Sequence, residues 1–252
     1  MTPGFPVSLF ERIAATIDAD LALDQTRSGP APGEDPFRDG TADLGWICST
    51  SFVELSTRST NPSLQLAGVA WVPDDPDIGG EPRYFGDLVV PAGSPIVSFA
   101  DLAGRSIGCN DEVSLSGHYA LRKAIDDFGA HPDKFAKLHF TGGHHTSLDQ
   151  LVAGTLDAAV VDSIVRISRM NTDANVARLR VIERLGPWPV QPLVARSNLD
   201  HAVLADVRAA LLASNDDPGM QSELRAASLT GFVSVEPDHY QSVRSLMVQV
   251  GV

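Results

Sequence analysis

The sequence is poor in cysteine, in positive charge and in long apolar runs. Its two cysteines, Cys48 and Cys109, are too few for a zinc set or a disulfide framework, so we expect two small buried side chains. With 19 Lys and Arg against 32 Asp and Glu, the net charge of −13 argues against nucleic-acid partners and anionic membrane surfaces. No stretch approaches the roughly 18 apolar residues of a membrane helix. These absences predict a globular chain without membrane insertion.

The negative charge is unevenly distributed along the chain. Residues 90–188 carry 11 acidic and 10 basic side chains, a net of −1, and the rest of the chain carries −12. At 252 residues, of which 43% are hydrophobic, the chain is long enough for two lobes or one large domain. In so acidic a protein, a bound anion must be held mainly by backbone N–H groups and hydroxyls.

The most informative segment is a hydroxyl-rich turn at residues 110–119. An apolar strand leads into it, and the residues after it have the apolar spacing of a helix. A helix start leaves backbone N–H groups unpaired and carries partial positive charge, so Ser114, Ser116 and Gly117 are candidates for holding a small anion. The alternative interpretation is a serine cap, which is the commoner role of a serine before a helix.

Two further strand ends present similar side chains. A strand at residues 138–140 is followed by a turn with two glycines and two histidines at residues 141–147, and then by a predicted helix at residues 148–152. A strand at residues 43–48 ends at Ser49 and Thr50, before a short predicted helix. In an open α/β sheet such junctions lie along one edge, where ligands bind.

The remaining segments predict an α/β fold with mixed, mainly parallel sheets, because strands and helices alternate along the chain. The further predicted strands are residues 64–72, 84–91 and 156–163, with an extended crossing at 185–194. The further predicted helices are residues 7–23, with Ser8 as its cap, 199–212 and 239–250.

Several of these segments, in this order and spacing, resemble the phosphate- and phosphonate-type substrate-binding proteins of ABC transporters, which have the type 2 periplasmic-binding fold. The segments that carry the resemblance are residues 45–48, 101–105, 114–117, 142–144, 157–163 and 186–187. The resemblance implies two α/β lobes joined by two crossing segments. The first lobe is expected at residues 1–90 and 189–252, and the second at residues 91–188.

The resemblance also implies a function. The chain is expected to bind a small oxyanion-bearing ligand, such as a phosphonate or phosphate, in the cleft between the lobes. It would act as a monomer without a cofactor, with an ABC transporter permease as its partner, and not as an enzyme. No histidine pair has the i, i+4 spacing of a metal site on a predicted helix, so we also expect no metal.

Roles for single residues follow from the same resemblance. Ser114 and Ser116, with the amides up to Gly117, match the phosphonate-oxygen cradle. His144 matches a histidine that reaches the same oxygens, and Asp162 matches an acid that can face a ligand amine. The full predicted ligand-binding set is Ser49, Thr50, Phe52, Tyr84, Asn110, Ser114, Leu115, Ser116, Gly117, His118, Gly143, His144 and Asp162.

Two departures from the family leave alternatives open. The family begins with a strand before the first helix, whereas residues 1–6 are short and Pro-rich. These residues also lack the features of a signal peptide, so the family's periplasmic or extracellular location and a cytoplasmic one both stay open. The alternatives are a cytosolic dehydratase- or lyase-like enzyme, with His144 or Asp162 as general base, and a ligand-sensing module. The sequence shows no paired-carboxylate or nucleophile–base arrangement, which favours binding.

Overall fold

The computed structural model describes residues 5–23, 28–31 and 33–250. Its helices are α1 (Val7–Thr16), α2 (Ser49–Thr57), α3 (Ala120–Asp127), α4 (Pro132–Phe135), α5 (His144–Val152), α6 (Ser163–Met170), α7 (His201–Ala213), α8 (Pro218–Ala226) and α9 (Gln241–Gln249). Its strands are β1 (Leu44–Trp46), β2 (Leu64–Leu66), β3 (Val69–Pro73), β4 (Arg83–Val90), β5 (Ser106–Cys109), β6 (Lys137–Phe140), β7 (Ala158–Asp162), β8 (Arg180–Pro189), β9 (Leu193–Arg196) and β10 (Leu229–Ser234). Within these ranges no helix is both long and apolar enough to cross a membrane.

The chain divides into two compact units. The first contains the described residues up to Arg83 and Pro189–Arg244, and the second contains Tyr84–Trp188 and the segment that begins at Ser245. The sequence placed the first boundary after residue 90, at the end of the predicted strand. The division falls at the start of β4 instead, because β4 pairs with β7 of the second unit along residues 86–89.

The first unit contains two antiparallel strand groups. The strands β1, β9 and β2 form a sheet in that order, and β10 pairs with β3. The indole rings of Trp46 on β1 and Trp71 on β3 stack with centroids 5.1 Å apart. Phe10 on α1 packs edge-on against the Trp46 ring, and Phe232 on β10 packs against it at a tilt. These aromatic side chains form the centre of the core of this unit.

The first helix is shorter than predicted. Its apolar face is buried as expected, through Leu9, Phe10 and Ile13. It ends at Thr16 and not at residue 23, because Asp18 takes a left-handed conformation with φ of 52°. Ser8 is also not the cap: Pro6 occupies that position, and the Ser8 hydroxyl donates to Glu223 instead.

The predicted strand at residues 64–72 is two strands. Gly68 interrupts it with φ of +78°, a conformation that favours glycine, and a Cβ there would lie 3.1 Å from the Arg208 guanidinium. The break separates β2, which pairs with β9, from β3, which pairs with β10. Three helices, α4, α6 and α8, and one strand, β10, were not predicted.

The second unit is built on one mixed sheet in the order β6-β5-β7-β4-β8. The strand β5 is parallel to both of its neighbours, β6 and β7, but β4 runs antiparallel to β7. The expectation of mixed sheets is confirmed, whereas the expectation of mainly parallel strands is wrong. The reason is that the strands of the first unit pair antiparallel and that β4, which leads into the second unit, runs against its neighbour β7.

Apolar side chains cover both faces of this sheet. Leu88 on β4 belongs to one cluster, with Ile107 and Leu121, and the adjacent Val89 belongs to the other, with Leu148 and Val161. Because successive residues of a strand point to opposite faces, β4 is buried on both sides. This packing fixes the strand ends that carry the predicted site.

Candidate functional site

Ser114 caps the helical turn that follows β5. Its hydroxyl oxygen accepts a hydrogen bond from the Gly117 amide at 3.1 Å, and its carbonyl accepts from His118 and Tyr119. The residues Leu115–Tyr119 form a π-helical turn that continues into α3. The cap interpretation is therefore correct for the Ser114 oxygen, while its hydroxyl hydrogen remains a donor.

Ser116 differs from Ser114. It is buried, with 2% of its surface exposed, and in the described part of the chain neither its amide nor its hydroxyl has a hydrogen-bond partner. A buried donor without a partner costs free energy, so such donors usually meet a ligand or a water. Leu115 beside it is completely buried and packs in the core.

Gly117 is required by close packing. A Cβ at this position would lie 1.9 Å from the side-chain oxygen of Asn110, so the Asn110 side chain would have to move. Asn110 is itself buried, and its amide group donates to Asp111 at 2.9 Å. The main chain of Asn110 also accepts from Gly142, which joins the first turn to the histidine loop.

The histidine loop ends earlier than predicted, because α5 begins at His144 and not at residue 148. Gly142 takes φ of +86°, and the hydroxyls of Thr141 and Ser147 lie 2.6 Å apart across the loop. The Ser147 amide donates to the carbonyl of Gly143. These bonds hold the first turn of α5 against the end of β6.

His144 is buried and neutral. Burial, with a smaller contribution from the neighbouring His145, lowers the pKa of its imidazole to about 3. Its Nδ1 atom lies 3.4 Å from the backbone nitrogen of Asp162 and accepts its hydrogen. In a neutral ring the proton is then on Nε2, so His144 presents an N–H donor there.

Asp162 caps α6. One carboxylate oxygen accepts from the amides of Ile164 at 2.8 Å and Val165 at 3.4 Å. The side chain is almost completely buried, at 1% exposed. Its predicted role toward a ligand amine stays a prediction.

Gly86 joins the two turns and was missed by sequence reasoning. It pairs with Asp162 across the β4–β7 ladder, and a Cβ on it would lie 2.5 Å from the Ser116 carbonyl oxygen. The only sequence signal was a glycine inside a strand, which indicates a close backbone approach. The contacts thus bring six predicted residues together, and we call them the polar wall: Asn110, Ser114, Ser116, Gly117, His144 and Asp162.

His118 lies apart from the polar wall. Its Nδ1 is 2.6 Å from the Glu112 carbonyl, and its ring packs edge-on against Phe140. It lines a hollow of about 410 Å³ that contains no other predicted site residue. A ligand contact of His118 stays a prediction.

The other predicted residues are buried at the start of α2 or of the second unit. The Ser49 hydroxyl donates to the carbonyl of Val190 at 3.2 Å, and the Thr50 hydroxyl lies 3.1 Å from the Cys48 sulfur. The Phe52 ring packs edge-on against Tyr240, and Tyr84 is 1% exposed. Ligand contacts of Ser49, Thr50, Phe52 and Tyr84 stay predictions.

The described residues contain no group of three or more His, Cys, Asp or Glu placed to hold a metal ion.

Both cysteines are free thiols and both are buried. Burial raises the pKa of the Cys109 thiol to about 12, with a smaller contribution from Asp111. The thiols thus have the inert character expected of buried cysteines.

The sequence matches a family model, and the fold matches solved binding proteins. A sequence model described as the periplasmic substrate-binding protein of phosphonate ABC transporters matches residues 28–240. A binding protein of an ABC phosphonate transporter from Pseudomonas aeruginosa is 17% identical, with a TM-score of 0.75 over 96% of this chain and 80% of that chain. PhnD1 from Prochlorococcus marinus, in complex with methylphosphonate, is 16% identical, with a TM-score of 0.75 over 96% of this chain and 90% of that chain.

A more distant similarity supports the same architecture. An ancestral arginine-binding protein bound to arginine is 16% identical, with a TM-score of 0.56 over 87% of this chain and 85% of that chain. The fold is therefore the α/β fold with mixed sheets of the type 2 periplasmic-binding proteins, as the sequence predicted. With the family match over residues 28–240, the chain belongs to the phosphonate-type periplasmic substrate-binding proteins of ABC transporters.

Proposed function

We propose that this protein binds a small ligand through a phosphonate or similar oxyanion group at the polar wall. The observation that carries the proposal is Ser116, a residue only 2% exposed whose amide and hydroxyl donate to no acceptor among the described residues. An oxyanion accepts from both donors at once, which removes the cost of burying them unpaired.

His144 supports the same ligand class. Its ring is neutral and its Nδ1 is occupied by the Asp162 amide, which leaves Nε2–H as a donor. Donors that are fixed before binding need little reorganisation, so they bind an anion well even without a full positive charge. The polar wall thus presents three kinds of hydrogen-bond donor to an oxyanion: a hydroxyl, a backbone amide and an imidazole N–H.

We also propose that the protein acts as the solute-binding component of an ABC transporter, with the permease as its partner. The family match over residues 28–240 supports this role. Neighbouring genes for a permease and an ATPase are the expected outcome of a genomic inspection. Biosynthetic neighbours would instead favour the enzyme alternative.

Calorimetric titration with a panel of anions tests the ligand class. We expect methylphosphonate or inorganic phosphate to bind the folded protein and simple sulfonates or carboxylates to bind more weakly. Phosphorus NMR after long incubation should return the ligand unchanged. A folded protein that binds none of these anions, or that converts one of them, contradicts the proposal.

A further inference from the structure

A buried ion triad lies beneath the polar wall, outside the predicted site. Asp87 on β4 is completely buried, and one of its oxygens accepts from Arg166 Nε of α6 at 2.5 Å. The other oxygen accepts from Arg184 Nε of β8 at 2.8 Å. The guanidinium of Arg184 also lies 4.1 Å above the Phe85 ring.

Burying this carboxylate has a cost that stability alone does not explain. Removing charges from water costs several kcal/mol per ion, and apolar side chains of similar volume often replace a buried ion group without loss of stability. A triad whose guanidinium partners are only 13% and 22% exposed therefore contributes little stability for its cost. What it does supply is a fixed geometry, because each Nε–H must point at one carboxylate oxygen.

The triad fixes the start of α6 in particular. Asp162 caps this helix, and the hydroxyl of Ser163, its first residue, accepts from the Phe85 amide at 3.1 Å. Arg166, four residues after Asp162, is bonded to Asp87, and Asp87 pairs with Val161 across the ladder. The first turn of α6 is thus attached to β4 at two points, Ser163 and Arg166.

The start of α6 in turn sets the orientation of His144. The Asp162 amide is the donor that His144 Nδ1 accepts, so a shift of α6 moves the group that selects the tautomer. Ser116 depends on the same strand, because its carbonyl packs against Gly86, the neighbour of Asp87.

We infer that Asp87, with Arg166 and Arg184, is a positioning group for the polar wall: it holds α6 so that His144 keeps one tautomer and one orientation. The inference rests on the proposed function, since its consequence is measured as anion affinity. Arg166 is the member that reaches α6, whereas Arg184 joins Asp87 to β8.

Two methionine variants separate these contributions. Arg166→Met and Arg184→Met each remove one positive charge and leave Asp87 with one guanidinium partner, so the change in net charge is the same in both variants. Titration with methylphosphonate should show Kd raised about tenfold or more in Arg166→Met and less than about threefold in Arg184→Met. The control Asp149→Asn removes an exposed partner of Arg169, also on α6, and should leave Kd unchanged.

A triple variant separates positioning from stability. Asp87→Leu with Arg166→Met and Arg184→Met replaces the triad by apolar side chains, which the fold is expected to tolerate. The inference predicts a folded protein with Kd raised about tenfold or more. A folded triple variant or Arg166→Met variant with wild-type Kd overturns it.

The tautomer of His144 gives a readout that needs no ligand. Nitrogen-15 NMR of the wild type should show a single Nε2–H tautomer, and Arg166→Met should show a mixture. If the wild type does not bind methylphosphonate, the proposed function fails while this measurement still tests the positioning. An unchanged single tautomer in Arg166→Met contradicts the positioning role whether or not methylphosphonate binds.

Discussion

The Nδ1 atom of His144 lies 3.4 Å from the backbone nitrogen of Asp162, at the point where β7 ends and α6 begins. This contact makes a buried neutral imidazole a donor of fixed direction. It also connects two helix starts, those of α5 and α6, into one surface.

The burial of His144 should make stability depend on pH. Its folded pKa, about 3, lies below the ordinary value of 6.5, so the unfolded state binds a proton that the folded state does not. The stabilisation is present above pH 6.5 and is lost as pH falls from there toward 3, by up to about 1.4 kcal/mol per pH unit. Urea unfolding at pH 7, 6 and 5 measures this effect. As the pH falls, the free energy of unfolding should decrease less in His144→Gln than in the wild type. Equal pH dependence in both proteins would show that the imidazole is not buried as described.

Gly86→Ala should damage the polar wall. The new Cβ would lie 2.5 Å from the Ser116 carbonyl oxygen, so the main chain of the turn must shift. We expect a loss of about 1–3 kcal/mol in the free energy of unfolding and weaker anion binding. The matched control is Gly93→Ala, since a Cβ there meets nothing within 4 Å. If both variants bind methylphosphonate with wild-type affinity, the contact does not position Ser116.

Asp162→Asn separates the capping role from the predicted ligand role. Asparagine caps helices about as well as aspartate, so Tm should change little. Affinity for methylphosphonate should be nearly unchanged, whereas affinity for an aminoalkyl phosphonate should fall, because the carboxylate charge is lost. Calorimetry with the two ligands measures both. An equal change in affinity for the two ligands would show that Asp162 caps α6 and does not face a ligand amine.

The two thiols should be unreactive until the protein unfolds. Cys48 and Cys109 are buried, and the pKa of Cys109 is raised to about 12, so little thiolate forms at pH 8. An aromatic disulfide reagent should label neither cysteine in the native protein and both in denaturant. If the cysteines are not labelled in denaturant, they form a disulfide. If they are labelled rapidly in the native protein, they are not buried.

The local part of the site was predictable from the sequence, and the long-range part was not. Ser114, Ser116 and Gly117 lie within four residues, and the strand-to-helix pattern alone indicates unpaired amides there. The start of α5 at His144 was misplaced because the adjacent glycines and histidines resemble a loop. The contact of Gly86 with Ser116 depends on strand pairing, which no local pattern encodes.

In the fold, too, the local features were predictable from the sequence and the long-range pairings were not. The predicted strand at residues 84–91 corresponds closely to β4, whose apolar side chains are buried on both faces. The antiparallel direction of β4 depends on which strand it pairs with, and the paired residues lie 70 to 76 positions apart in the sequence. The bonds of Asp87 to Arg166 and Arg184 are equally distant in sequence, at separations of 79 and 97 residues.

The most direct test of the account is calorimetric titration of methylphosphonate into the wild type, Ser116→Ala and Ser222→Ala. Ser222 is exposed on α8 of the first unit and serves as the matched control. We expect binding by the wild type and by Ser222→Ala, with Kd raised about tenfold or more in Ser116→Ala because a buried hydrogen bond to an anion is lost. Equal affinity of a folded Ser116→Ala variant would contradict it.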